Sequence, residues 1–204
     1  MDVSDVDVPS RASTAPPGTH ASLASMRSTG QFGVIVFLAS DVMLFAPFFA
    51  AYFLLRAGNQ PWPPEGVELD TLRAAIFTAV LVASSFTLVA SDRAAERSAA
   101  AGQRRWLLVT IGLGAAFLAN QLAEYATLPF SADDNVYGSV YWVLTGLHGA
   151  HVSAGLIAMA LLFVRSARAA SPAAVSTWTG GVSLFWHLVD VIWLFVFATI
   201  WIIR

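Results

Sequence analysis

Thr145-Gly-Leu-His-Gly-Ala-His-Val-Ser-Ala-Gly155 sits in the middle of an apolar run that extends from Val140 to Val164. At about 1.5 Å per residue, a helix over that run is long enough to cross a hydrocarbon core about 30 Å thick. His148 and His151 stand at i, i+3, about 60° apart on a helix, and are expected to share one face. Gly146, Gly149 and Gly155, with Ser153, leave little side chain between this helix and a neighbour, the pattern of a close helix–helix joint. Polar groups at such depth mark either a functional site or a joint between helices.

The composition outside this stretch sets the class. Of 204 residues, 57% are hydrophobic and 12% charged. Several uninterrupted apolar runs then imply a multi-span membrane protein. All eleven basic residues are arginine, which excludes a lysine Schiff base. There is no cysteine, so disulfides, iron–sulfur clusters and thiolate copper or zinc sites are excluded. Four histidines cannot house several haems and a copper. A net charge of −2 without basic runs argues against nucleic acid as a partner.

The pattern predicts an all-α integral membrane bundle of five transmembrane helices, over about 31–55, 71–91, 106–128, 140–164 and 178–203. Residues 1–28, rich in Ser, Ala, Pro and Asp, are expected to form a disordered cytoplasmic tail without a cleavable signal peptide. Residues 29–204 are then the membrane domain. Pro47 removes one backbone bond from the first span. Asp70 or Thr71 caps the second, Pro129 stops the third, and Ser171-Pro172 breaks the chain before the fifth. Arg93, Arg97, Arg104, Arg105, Arg165 and Arg168 fall on one side together with Arg11 and Arg27, whereas only Arg56, Arg73 and Arg204 fall on the other. That asymmetry places the N-terminus in the cytoplasm and the C-terminus outside. Trp62, Trp106, Trp142, Trp178 and Trp201 lie near span ends, as an aromatic belt requires.

Three carboxyls fall within the predicted spans. Asp41 is about ten residues, or ~15 Å, into the first, where desolvation disfavours its charged form. Glu124 precedes Tyr125 near the end of the third. Asp190 follows His187 and precedes Trp193, each three residues apart on one face of the fifth. The bland reading of His148 and His151 is hydrogen bonding between helices, to Glu124 or Asp190. For His187 and Asp190 it is an i, i+3 bond within their own helix. A metal site is the alternative, but His-x-x-His and His-x-x-Asp with few nearby carboxyls do not match the Glu-x-x-His pairs of di-iron bundles. Asp41 is read as a proton-linked carboxyl or as a neutral one bonded at a lipid-facing subunit interface. Neither catalytic nor metal-ligating residues are expected in this chain.

The residues also carry a resemblance. Phe37-Leu-Ala-Ser-Asp-Val-Met-Leu-Phe-Ala-Pro-Phe-Phe-Ala-Ala-Tyr-Phe53, Trp62-Pro-Pro-Glu-Gly66, Ser84-Ser85 and Gln121-Leu-Ala-Glu-Tyr125 resemble subunit III of the haem–copper cytochrome c oxidases. The most specific segments are Thr145-Gly-Leu-His-Gly-Ala-His-Val152 and Trp186-His-Leu-Val-Asp-Val-Ile-Trp193. The likeness covers nearly everything from Gly33 to Phe197. Two departures stand out: Asp41 replaces the family's usual Glu, and this chain matches the last five spans of relatives that have seven, a form familiar in bacteria. The resemblance implies a non-catalytic subunit of an aa3-type oxidase in the bacterial plasma membrane. It implies packing against subunit I, with subunit II and other respiratory subunits nearby. Haem and copper would reside in those partners, and structural phospholipids at the interface. A quinol oxidase or an accessory protein of nitric oxide reductase uses a similar chain. An independent proton-coupled transporter relaying through Asp41, Glu124 and Asp190 is the reading from another class, and the missing inverted repeat speaks against it.

Overall fold

The computed structural model describes residues 19–168 and 176–203, with side-chain surroundings defined for 32–168 and 178–203. Five helices follow in order: α1 (Thr19–Gly58), α2 (Thr71–Glu96), α3 (Ala100–Tyr125), α4 (Val136–Arg168) and α5 (Ser176–Phe197). A π-helical turn, Ala198–Ile203, continues α5 to the end of the described chain. Five segments are long and apolar enough to cross a membrane, which makes this an all-helical, multi-pass protein. No strand occurs among the described residues.

The element boundaries differ from the predicted ones for local reasons. α1 starts at Thr19, so the tail expected to reach residue 28 is already helical there; residues 1–18 lie outside the described residues, as does the Ser171-Pro172 break. α1 also continues through Pro47. Asp70 is the cap of α2, its side chain accepting from the Arg73 backbone N–H at 2.9 Å. α2 runs to Glu96 rather than 91 because the arginine-bearing turn is tighter than expected, closed by Ala99 N–H to the Ala94 carbonyl at 2.9 Å. α3 therefore begins at Ala100 and ends at Tyr125, four residues before the predicted stop at Pro129. α4 begins at Val136, earlier than predicted, because Asn135 caps it: its side-chain oxygen accepts the Gly138 N–H at 2.7 Å.

α2 and α3 form an antiparallel pair, α3 packs on α4, and α5 lies against α4, α2 and α1. Half of the apolar span of α5 is buried, against 11% for α1. α5 is the central element, and α1 leans on it and on α4 from the outside. The aromatic residues divide accordingly. Trp106 and Trp178 are exposed, and the Arg165 guanidinium lies 4.0 Å over the Trp178 ring, tying the ends of α4 and α5. Trp62 and Trp201, expected in an interfacial belt, are buried instead. Trp62 packs edge-on between Tyr52 and Tyr137, which locks the α1–α2 loop onto α1 and α4.

Candidate functional site

Three polar joints and one buried imidazole organise the interior. The first joins α1 to α4. His151 Nε2 stands 3.6 Å from Asp41 Oδ1, too long for a hydrogen bond but close enough for a strong electrostatic contact at low dielectric. His151 Nδ1 is 2.8 Å from the Leu147 carbonyl, an acceptor only, so Nδ1 carries a proton and Nε2 is the atom turned to Asp41. Phe45 and Phe185 flank the ring, at 5.2 and 6.3 Å between centroids. The sequence assigned His151 to Glu124 or Asp190; the structure gives it Asp41, because α1 and not α3 lies against that side of α4.

The second joint runs the length of α2 and α5. Ser183 donates to Asp92 Oδ2 at 2.6 Å, Trp186 Nε1 to Ser84 Oγ at 2.9 Å, and Trp193 Nε1 to Thr78 Oγ1 at 2.9 Å. Between them, Ser85 Oγ lies 2.9 Å from His187 Nδ1 and bonds Asp190 Oδ2 as well. His187 and Asp190 thus meet through a serine of the neighbouring helix, not through the bond within α5 expected from their spacing. Thr78, Ser84 and Asp92 were missed as members of this joint. The signal was present: Thr78, Ser85 and Asp92 recur every seven residues along one side of α2.

The third joint links α3 to α4 and α2. Tyr141 donates to Glu124 Oε1 at 3.1 Å, and Tyr125 to Thr145 Oγ1 at 2.8 Å. Arg73 donates through Nε to Asn120 Oδ1 at 2.6 Å, an α2–α3 link that sequence reasoning also missed. Glu124 thus meets a tyrosine of α4 rather than a histidine.

His148 departs furthest from expectation. It is 1% exposed, and neither ring nitrogen has a hydrogen-bond partner among the described residues. Phe117 packs edge-on to it at 5.8 Å and Trp193 lies at 4.7 Å. His148 therefore points into the core between α3 and α5 while His151 points to α1; their 60° offset is enough to part them. Among the described residues no three His, Cys, Asp or Glu side chains are grouped to hold a metal ion.

The glycines divide as sharply. A Cβ on Gly155 would lie 2.7 Å from Trp186 Cε3, and one on Gly114 2.7 Å from Trp186 Cη2. Trp186 is thus clamped between bare backbones of α4 and α3. Gly146 and Gly149, predicted as packing glycines, have their nearest neighbours at 4.0 and 3.9 Å and leave room for a methyl group.

This arrangement ties five helices together through polar contacts and close packing. Comparison with known proteins places it. The profile of the family described as cytochrome c oxidase subunit III matches residues 9–203. A probable cytochrome c oxidase subunit 3 of Nocardia farcinica is 44% identical over 176 residues, covering 84% of this chain and 87% of that one. Cytochrome c oxidase subunit 3 of Thermostichus vulcanus is 37% identical over 172 residues, covering 84% and 86%. The same subunit of Synechocystis sp. is 33% identical over 174 residues, covering 84% and 75%.

Proposed function

Since the chain belongs to the cytochrome c oxidase subunit III family, we propose that it is the third subunit of an aa3-type oxidase and supports subunit I without a redox centre of its own. Family membership makes it a multi-pass membrane component of an oxidase complex. The finer reading is ours: subunit I is the main contact, subunit II and other respiratory subunits lie near, and haem and copper reside in those chains. Phospholipids fill the spaces between them. The setting is a bacterial plasma membrane, with the N-terminus in the cytoplasm and the C-terminus outside, as the arginine distribution favours.

The observation that carries the supporting role is where the buried and half-buried carboxyls go. Asp41, Asp92, Glu124 and Asp190 each meet a polar side chain of a different helix. Groups engaged in this way hold a scaffold together. Among the described residues they lie in separate contacts that join α1 to α4, α2 to α5 and α3 to α4. Asp41, buried against His151 although it belongs to the least buried helix, is the carboxyl we assign to any proton-linked or lipid-facing role.

Affinity purification of the tagged chain in mild detergent tests this. It should bring down haem a and copper, and an oxidase lacking this chain should keep its haem content while losing activity sooner under turnover. A chain that purifies free of haem protein and moves a solute alone in proteoliposomes would overturn the reading.

A further inference from the structure

α5 turns one face away from the bundle. Leu184, Val191 and Phe195 are 48%, 48% and 62% exposed, and their spacing keeps them on one side of the helix. His187 sits among them, half-buried. α1 flanks this face through Phe37, whose ring centroid is 6.1 Å from that of Phe185. α2 flanks the other side through Ser85, which bonds His187 and Asp190. α1 and α2 both pack on α5 without packing closely on each other, so this face of α5 is the floor of a groove between them. His187 lies nine residues beyond Trp178, about 14 Å into the span at 1.5 Å per residue.

The hydrogen bonds fix what the groove presents. Ser85 has one hydroxyl hydrogen and is shared by two partners. With Asp190 ionised, Ser85 donates to it and accepts from His187 Nδ1–H, leaving a lone pair on Nε2. With Asp190 carrying the proton, each bond reverses and Nε2 carries a hydrogen. In both states Nε2 lacks a partner among the described residues, and acyl chains supply none, so exposure to hydrocarbon costs several kcal/mol. A hydroxyl group answers both states, because it donates and accepts.

We infer that this groove receives a transmembrane helix of another oxidase subunit, which sets a serine, threonine or tyrosine hydroxyl against His187. The inference rests on the oxidase-subunit reading above. It adds the face used and the chemistry of the contact.

The test uses the assembled complex, with a photoreactive phenylalanine analogue in place of Val191 and, separately, of Leu122, an exposed apolar residue of α3. Val191 should yield an adduct with another oxidase subunit, and Leu122 should yield lipid adducts. Most of the protein adduct should be lost in His187→Phe and kept in His187→Gln, whose amide both donates and accepts. Lipid adducts alone at Val191, in a preparation that still carries haem a, would overturn the groove assignment and leave the oxidase-subunit reading standing. Loss of haem a from the purified chain would instead overturn that reading. If His187→Phe fails to assemble, His187→Gln decides, and loss of its protein adduct in an assembled complex counts against the hydroxyl contact.

Discussion

Gly155 of α4 and Trp186 of α5 touch backbone to indole, with no room for a methyl group between them. Trp186 is fully buried and also donates to Ser84 of α2, so one side chain registers three helices. In a membrane the packing counts for more than the bond. Hydrogen bonds between transmembrane helices contribute about 0.6 kcal/mol on average, whereas overpacking a core costs ~1–3 kcal/mol.

Gly155→Ala should therefore destabilise the complex by about 1–3 kcal/mol, and Gly149→Ala should leave it within about 0.5 kcal/mol of the parent. Thermal unfolding in detergent compares the two. Equal effects would mean that both glycines serve only a general small-residue surface.

His148→Leu removes two unpartnered nitrogens from the core at nearly constant volume. Because a buried unsatisfied polar group costs about 1–3 kcal/mol, stability should be unchanged or higher, and haem and copper content should stay the same. A marked loss of stability would reveal a partner for His148 in the assembled complex. Loss of one metal equivalent would make it a ligand.

Asp41 and His151 should be energetically coupled. In a double-mutant cycle with Asp41→Ala and His151→Ala, the double variant should lose less than the sum of the singles, by about 0.5–3 kcal/mol. Additive losses would show that the 3.6 Å approach carries no interaction. Asp41→Asn keeps the shape, and initial oxygen reduction should be preserved. An immediate loss of proton pumping would favour a relay through this carboxyl.

Asp134 gives a pH dependence outside the membrane. The Ser131 backbone N–H and hydroxyl donate to its Oδ2 at 2.7 and 2.8 Å, holding its carboxyl below the usual range. A carboxyl lowered on folding stabilises the loop fully above its unfolded pKa of about 3.9, and that contribution is lost as pH falls through the lower folded value. Amide exchange at Ser131 should be faster in Asp134→Ala than in the parent at neutral pH, with the difference vanishing in strong acid. A difference that persists there would point to a contact independent of charge.

Much of this protein was legible in the chain because the bilayer leaves few options. Long apolar runs must become helices, arginines gather on one side, and six segments together resemble a single family. Glu124, His151, His187 and Asp190 were also legible as polar groups within apolar spans that needed partners. Periodicity alone could not name those partners, because it assigns a face and not the neighbour opposite. Only the tertiary structure put α1 against His151 and Ser85 between His187 and Asp190, and left His148 without a hydrogen-bond partner among the described residues. It likewise separated Gly155, which Trp186 requires, from Gly146 and Gly149, which share the sequence pattern but where a Cβ would meet its neighbours only at ordinary contact distance. The physical reason is the range of each effect. Hydrophobicity acts residue by residue along the chain, whereas hydrogen bonds and close packing are decided within a few ångströms by whichever helix comes alongside.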